Sequence, residues 1–165
     1  MISGVWVPLV TPFKDGQVDL ASYRRLIEHY LACGVAGLFP LGTTGEAPTL
    51  DDDEADAVVE ATIETVAGRV PVFVGIGGNA TRKVIKAIDR LSRFAFPGIV
   101  SVCPYYNRPT QGGLLQHFAD LSTRPTVRSS STTFLIGPRS TLPTTLCYAS
   151  PNGRTLSGSR TARAA

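Results

Sequence analysis

The stretch VPVFVGIG (residues 70–77) is almost wholly apolar, β-branched and aromatic, and ends on glycine. A strand with one face in water alternates apolar and polar residues; this run does not, so it belongs to a parallel sheet covered on both faces. Parallel neighbours need crossover helices, and the flanking sequence supplies them. Downstream, from Thr81, the residues Val84, Ile85, Ile88 and Leu91 recur at helical spacing. Upstream, a helix predicted from Thr49, with Asp52 three residues on as a near capping box, turns Val58, Val59, Ile63 and Val66 inward and stops at Gly68. Before it, VAGLFPLG (35–42) reads as another strand. LASYRRLIEHYLAC, capped by Asp19 and closed by Gly34, reads as a helix, and GVWVPLV (4–10) as the first strand. PGIVSVCP (97–104) and QGGLLQHFADL (111–121) complete a fourth pair. Four β-α units in series imply a parallel sheet with right-handed crossovers. A small doubly wound domain and the first half of a (β/α)8 barrel both accept this pattern, and periodicity alone does not separate them.

The 165 residues suffice for one core. No apolar run approaches the length of a membrane span, and no leader pattern opens the chain. Cys33, Cys103 and Cys147 lie far apart without CxxC spacing, which fits reduced thiols, no metal site and a cytoplasmic setting. The net charge of +3 hides a break. All 13 acidic residues lie at or before Asp120, whereas residues 123–165 carry six arginines, no lysine, no acid and 16 Ser and Thr. Those arginines are scattered and only one tyrosine accompanies them, so neither a nucleic-acid surface nor a membrane surface is expected.

The polar residues suited to chemistry follow strands, at the carboxyl edge where both architectures place their sites. In PLGTTGEAPTL (40–50), Gly42 and Gly45 bracket the hydroxyls of Thr43 and Thr44, with Glu46 beside them. Such a turn either binds a carboxylate or phosphate oxygen and passes a proton, or is an ordinary glycine turn with self-capping threonines. Tyr105 and Tyr106 alternate in direction if the strand runs through them, so one packs while the other offers its hydroxyl; two packing aromatics is the plainer reading. GIGGNAT (75–81) is an open loop in which Asn79 can cap. His29 and His117 read as structural. Imine chemistry needs a desolvated lysine, and neither Lys14, in a turn, nor Lys83 and Lys86, on a polar helix face, meets that need. No GxGxxG follows the first strand and no GxxxxGK[ST] occurs, so no nucleotide cofactor is expected.

The blocks GTTGEAPTL, VPVFVGIGGNAT and PYYNRPTQ, at their spacing over residues 1–121, resemble the dihydrodipicolinate synthase (4-hydroxy-tetrahydrodipicolinate synthase) family of pyruvate-dependent class I aldolases, which also includes N-acetylneuraminate lyase. The pairing of GTTGE with YYNRPTQ favours the synthase branch. The resemblance implies a (β/α)8 barrel, usually a homotetramer without cofactor. It implies a lysine Schiff base with pyruvate, condensed with aspartate 4-semialdehyde to 4-hydroxy-tetrahydrodipicolinate in lysine (diaminopimelate) biosynthesis. On this chain, Thr44 is then expected to hold the pyruvate carboxylate and Thr43 to join a proton relay. Tyr106 is expected to reach into a neighbouring subunit's site while Tyr105 packs. RFAFPGIV (93–100) departs from the family's usual turn before its fourth strand, which implies a local irregularity.

The family's later YNxPxRTG segment and its Schiff-base lysine are not found. One choice of codons for Tyr-Asn-Ile-Pro-Tyr-Arg-Thr (TAC AAC ATT CCT TAT CGG ACC), read one base later, gives Thr-Thr-Phe-Leu-Ile-Gly-Pro. That is the order of residues 132–138. The expectation is therefore a partial barrel over residues 1–122 and, in 123–165, a frameshifted basic tail that is poorly ordered and does not complete the sheet. Such a chain is inactive alone. The other readings are a different pyruvate-dependent aldolase of the same family, and a non-enzymatic half-barrel acting through self- or partner association.

Overall fold

The computed structural model describes residues 4–107 and 109–124, together with backbone strands at 132–135, 145–149 and 155–159. Strand and helix alternate as the sequence predicts: β1 (Trp6–Pro8), a hairpin of β2 (Phe13–Lys14) and β3 (Gln17–Val18), α1 (Leu20–Ala32), β4 (Gly37–Phe39), α2 (Asp52–Val66), β5 (Phe73–Gly75), α3 (Thr81–Leu91), β6 (Gly98–Val102) and α4 (Gln111–Ser122). The chain divides into two compact units, Met1–Gly75 with Arg93–Pro97, and Ile76–Ser92 with Gly98–Ala165.

In the first unit β1 pairs in parallel with β4, Trp6 opposite Gly37 and Pro8 opposite Phe39. Gly37 is required there, because a Cβ at that position would meet the Trp6 ring at 2.5 Å. On its other side β4 meets the approach to β5 through a parallel bridge between Leu38 and Val72, and the Gly75 amide donates to the Pro40 carbonyl at 2.9 Å. Leu38 is fully buried, as an apolar strand between two neighbours should be. The hairpin between β1 and α1 turns on Asp15 and Gly16, both with positive φ, and leaves Lys14 exposed.

Asp19 caps α1 by accepting from the Ser22 amide at 3.0 Å, and the helix stops before Gly34 at φ +74°. Tyr23 and Ile27 form its fully buried seam. The Tyr23 hydroxyl shares a buried 2.8 Å hydrogen bond with Thr62 of α2, and burial lifts its pKa well above the ordinary phenol value. Outside the seam, Arg69 donates to both oxygens of Glu28, and that hydrogen bonding lowers the Glu28 pKa. Arg93 pairs with Asp56 of α2 and lies over the Phe94 ring, which anchors the irregular stretch expected near residue 93.

The start of α2 differs from the sequence reading. Residues Ala47–Thr49 wind a short 3-10 turn and Leu50 is extended, so the cap is Asp51 rather than Thr49. Asp51 and Glu54 make a reciprocal capping box, with the Glu54 amide donating to Asp51 at 2.8 Å and the Asp51 amide to Glu54 at 3.0 Å. Pro48 in the first turn of the 3-10 segment displaces the true helix start by two residues.

In the second unit the Ile76 amide donates to the Val100 carbonyl at 2.9 Å. Helix α3 begins after Ala80 with no side-chain cap, so Asn79 does not cap it. Thr110 caps α4 through the Gly113 amide, which offsets the cost of the two glycines that follow. Helices α3 and α4 are joined by a 2.8 Å hydrogen bond between Thr81 Oγ1 and His117 Nδ1. Three further strands follow: β7 (Thr132–Leu135), parallel to β6, then β8 (Thr145–Ala149) and β9 (Thr155–Ser159) in an antiparallel ladder. The sequence reading expects the tail not to complete the sheet; these three strands nonetheless lie beside β6, in the order β7, β8, β9, and TTFL, β-branched and aromatic, suits a strand even in an arginine-bearing, unpatterned setting. The rest of residues 125–165, including the expected disorder, lies outside the described residues.

Removing the cap of α2 with Asp51→Ala should lower stability by about 1 kcal/mol, read as a shift in the urea midpoint. A second expectation concerns His117, buried at 3% exposure with Nε2 lacking a partner among the described residues. Desolvation holds its folded-state pKa below the ordinary value, partly offset by Asp120. The unfolded chain therefore takes the proton first. Stability should be complete above roughly pH 6.5 and fall as pH drops through the folded-state pKa, with His117→Gln flattening the slope.

Candidate functional site

Each unit presents a polar turn where a strand ends. In the first, β4 runs through Pro40 into Leu41, whose φ of +57° is unusual for a branched side chain. A Cβ on Gly75 would lie 2.2 Å from the Leu41 carbonyl oxygen, so glycine at the end of β5 permits this course. The chain then makes a double turn. The Gly45 amide donates to the Gly42 carbonyl and the Glu46 amide to the Thr43 carbonyl, each at 3.1 Å. Glu46 closes it at φ +53°, and its carbonyl accepts from both the amide and the hydroxyl of Thr49 at 2.9 Å.

Thr43 and Thr44 lie exposed at the tip, whereas Leu41, Gly42 and Gly45 are buried beneath them. Among the described residues no backbone carbonyl takes the amide hydrogens of Thr43 or Thr44. Two exposed threonines, with amides that have no backbone partner among the described residues, are donors of the kind suited to a carboxylate or phosphate oxygen. Glu46 acts through its backbone, and its side chain is exposed. Lys14, Lys83 and Lys86 are all exposed, so none has the desolvated setting that imine formation favours.

In the second unit the strand stops at Val102, short of the tyrosines, so the expected alternation through Tyr105 and Tyr106 does not arise. Pro104, without an amide hydrogen, suits that break. Tyr106 instead takes φ +71° and is 93% exposed, while Tyr105 is 47% exposed rather than packed. The Asn107 amide donates back to the Tyr105 carbonyl at 2.9 Å, and its side chain donates to the Asn79 carbonyl at 3.1 Å. Asn107 thus ties the loop after β6 to the loop before α3, a role the sequence reading missed. His29 is exposed beside Cys33, and His117 is buried between helices. Among the described residues no group of three His, Cys, Asp or Glu could hold a metal, and no helix is long and apolar enough to cross a membrane.

Alternating strands and helices, with polar turns at the carboxyl ends of the strands, define a parallel β/α protein, and comparison with known proteins fixes the class as the barrel. The chain belongs to the Dihydrodipicolinate synthetase family, whose match spans residues 1–126. Over 121 residues it is 54% identical to 4-hydroxy-tetrahydrodipicolinate synthase 2 of Clostridium acetobutylicum, covering 73% of this chain and 42% of that protein. The crystal structure of dihydrodipicolinate synthase from Thermotoga maritima superposes with a TM-score of 0.73 at 43% identity, covering 81% of this chain and 43% of the other. The prophage protein YagE of E. coli K12, a family member solved in complex with pyruvate, gives 0.77 at 31% identity, covering 86% and 47%. The chain spans less than half the length of these relatives, and its four β-α units are the N-terminal half of a (β/α)8 barrel. The family match ends at residue 126, close to the change in composition after residue 122.

Proposed function

We propose that this chain carries the pyruvate-binding half of a 4-hydroxy-tetrahydrodipicolinate synthase, a cytoplasmic enzyme of lysine (diaminopimelate) biosynthesis. The observation that carries the reading is the Gly42–Glu46 turn, where Thr43 and Thr44 are exposed and their amides have no backbone partner among the described residues, leaving donors for a carboxylate. Thr44 holds the pyruvate carboxylate, and Thr43 passes a proton with Tyr106. The exposure of Tyr106 supports a hydroxyl that serves a neighbouring copy in a homotetramer rather than its own unit. Aspartate 4-semialdehyde is the second substrate. The second reading is a different pyruvate-dependent aldolase of the same family, with which the likeness to YagE, a family member solved in complex with pyruvate, is compatible.

The covalent step of such an enzyme is imine formation between a lysine amine and the pyruvate ketone, with loss of water. This sequence has only three lysines, all exposed, so the chain binds without forming the imine. Residues beyond about 122 are read in a shifted frame, a proposal supported by the loss of acidic residues there and by the end of the family match at 126. Borohydride added with pyruvate should produce no mass gain on the chain; a reduced adduct on Lys14, Lys83 or Lys86 would refute the inactive reading. Sequencing the gene between the codons for residues 121 and 132 should show a one-base change whose reversal restores a YNxPxRTG segment. An intact frame with no such segment nearby would exclude the shift.

A further inference from the structure

We propose that Thr11 is a positioning residue for the carboxylate-binding turn, an inference that rests on the proposed role of Thr43 and Thr44. Thr11 lies just beyond β1, 5% exposed, and its hydroxyl donates to the Gly45 carbonyl at 2.7 Å across 34 residues of sequence. That carbonyl belongs to the peptide joining Gly45 to Glu46. The amide at the other end of the same peptide donates to the Thr43 carbonyl at 3.1 Å. One peptide plane is therefore held at both ends, from outside the turn by Thr11 and from inside by Thr43. Rotation of that plane would release the Thr43 carbonyl, and with it the peptide that carries the Thr44 amide.

The prop is stiff for reasons written in its neighbours. Pro12 restricts the backbone of Thr11 to the extended region, and the β-branched side chain limits χ1. The Leu9 amide donates to the Phe39 carbonyl at 2.9 Å, so the segment that leads from β1 to Thr11 is tied to β4 shortly before the turn begins. Gly45 completes the fit, since a Cβ there would lie 2.8 Å from the Leu9 carbonyl oxygen and 3.4 Å from the Thr11 hydroxyl. The hydroxyl of Thr11 bonds the Gly45 carbonyl rather than Thr43 or Thr44, where substrate is proposed to bind. It acts only through the geometry of the turn.

The test uses the full chain and two substitutions. Thr11→Val keeps shape and branching but removes the donor, leaving a buried carbonyl unpaired; Thr11→Ser keeps the donor. Hydrogen exchange at the Gly45 and Glu46 amides should accelerate about tenfold in Thr11→Val while exchange in α1 and α2 is unchanged, and Thr11→Ser should stay near the parent rate. Titration with pyruvate, followed by the NMR shifts of the Thr43 and Thr44 amides, should show weaker binding in Thr11→Val and near-parent binding in Thr11→Ser. Unchanged turn exchange in Thr11→Val overturns the inference, as does a uniform acceleration that includes both helices. If the parent chain gives no pyruvate shifts, the proposed function fails, and the exchange comparison still decides whether Thr11 holds the turn.

Discussion

The first unit depends on one close approach. Where β5 ends, Gly75 passes the Leu41 carbonyl so tightly that a Cβ would sit 2.2 Å from its oxygen. The Gly75 amide meanwhile bonds the Pro40 carbonyl, so β5 is fixed against the last residues of β4. With that side closed, the chain after Leu41 must lift away from the sheet, and Leu41 does so in a left-handed conformation costing about 1–3 kcal/mol. The cost is sustained because Leu41 is buried and both neighbouring strands are already paired. The turn that follows inherits its position from this crowding. Thr43 and Thr44 are thus presented at the strand end by packing, while the glycines on either side let the backbone follow.

Most of this architecture was legible in the sequence because it rests on local pattern. The apolar run 70–77, the stripe Tyr23 and Ile27, and the stops at Gly34 and Gly68 are each set by residues within one element. The errors arose where a neighbouring residue overrode the pattern. Pro48 winds a 3-10 turn that moves the cap of α2 from Thr49 to Asp51. Near Pro104 the strand β6 ends early, which puts both tyrosines in a loop where alternation has no meaning. The strand β7 was missed because four residues of TTFL sit in a segment whose composition argues against order.

The site was legible only in part, for a different reason. The threonine pair announces itself by its glycines and its motif. The residues that aim it do not, because their contacts are distant in sequence. Thr11 and Gly45 are 34 positions apart, and Asn107 reaches back 28 positions to Asn79. Nothing in the identity of Thr11 distinguishes it from a capping hydroxyl until β1 and β4 are paired. Sequence patterns therefore disclose the groups that face a substrate sooner than the groups that hold them in place.

This division of labour bears on what half a barrel retains. Every residue named here as shaping the Gly42–Glu46 turn, from Leu9 and Thr11 through Phe39 and Leu41 to Gly75, lies within the first unit and within the family match. Among the described residues, the hydrogen bonds that shape the turn all come from this unit. Imine chemistry, in contrast, depends on a single buried amine, and a lysine becomes an effective nucleophile only where its surroundings lower its pKa. The three exposed lysines lack such surroundings. In the function proposed above, carboxylate recognition falls on the backbone and short side chains of the Gly42–Glu46 turn, whereas bond formation falls on a single amine. On the proposed function, the first unit therefore holds the binding turn, while none of the three exposed lysines is placed to act as the nucleophile.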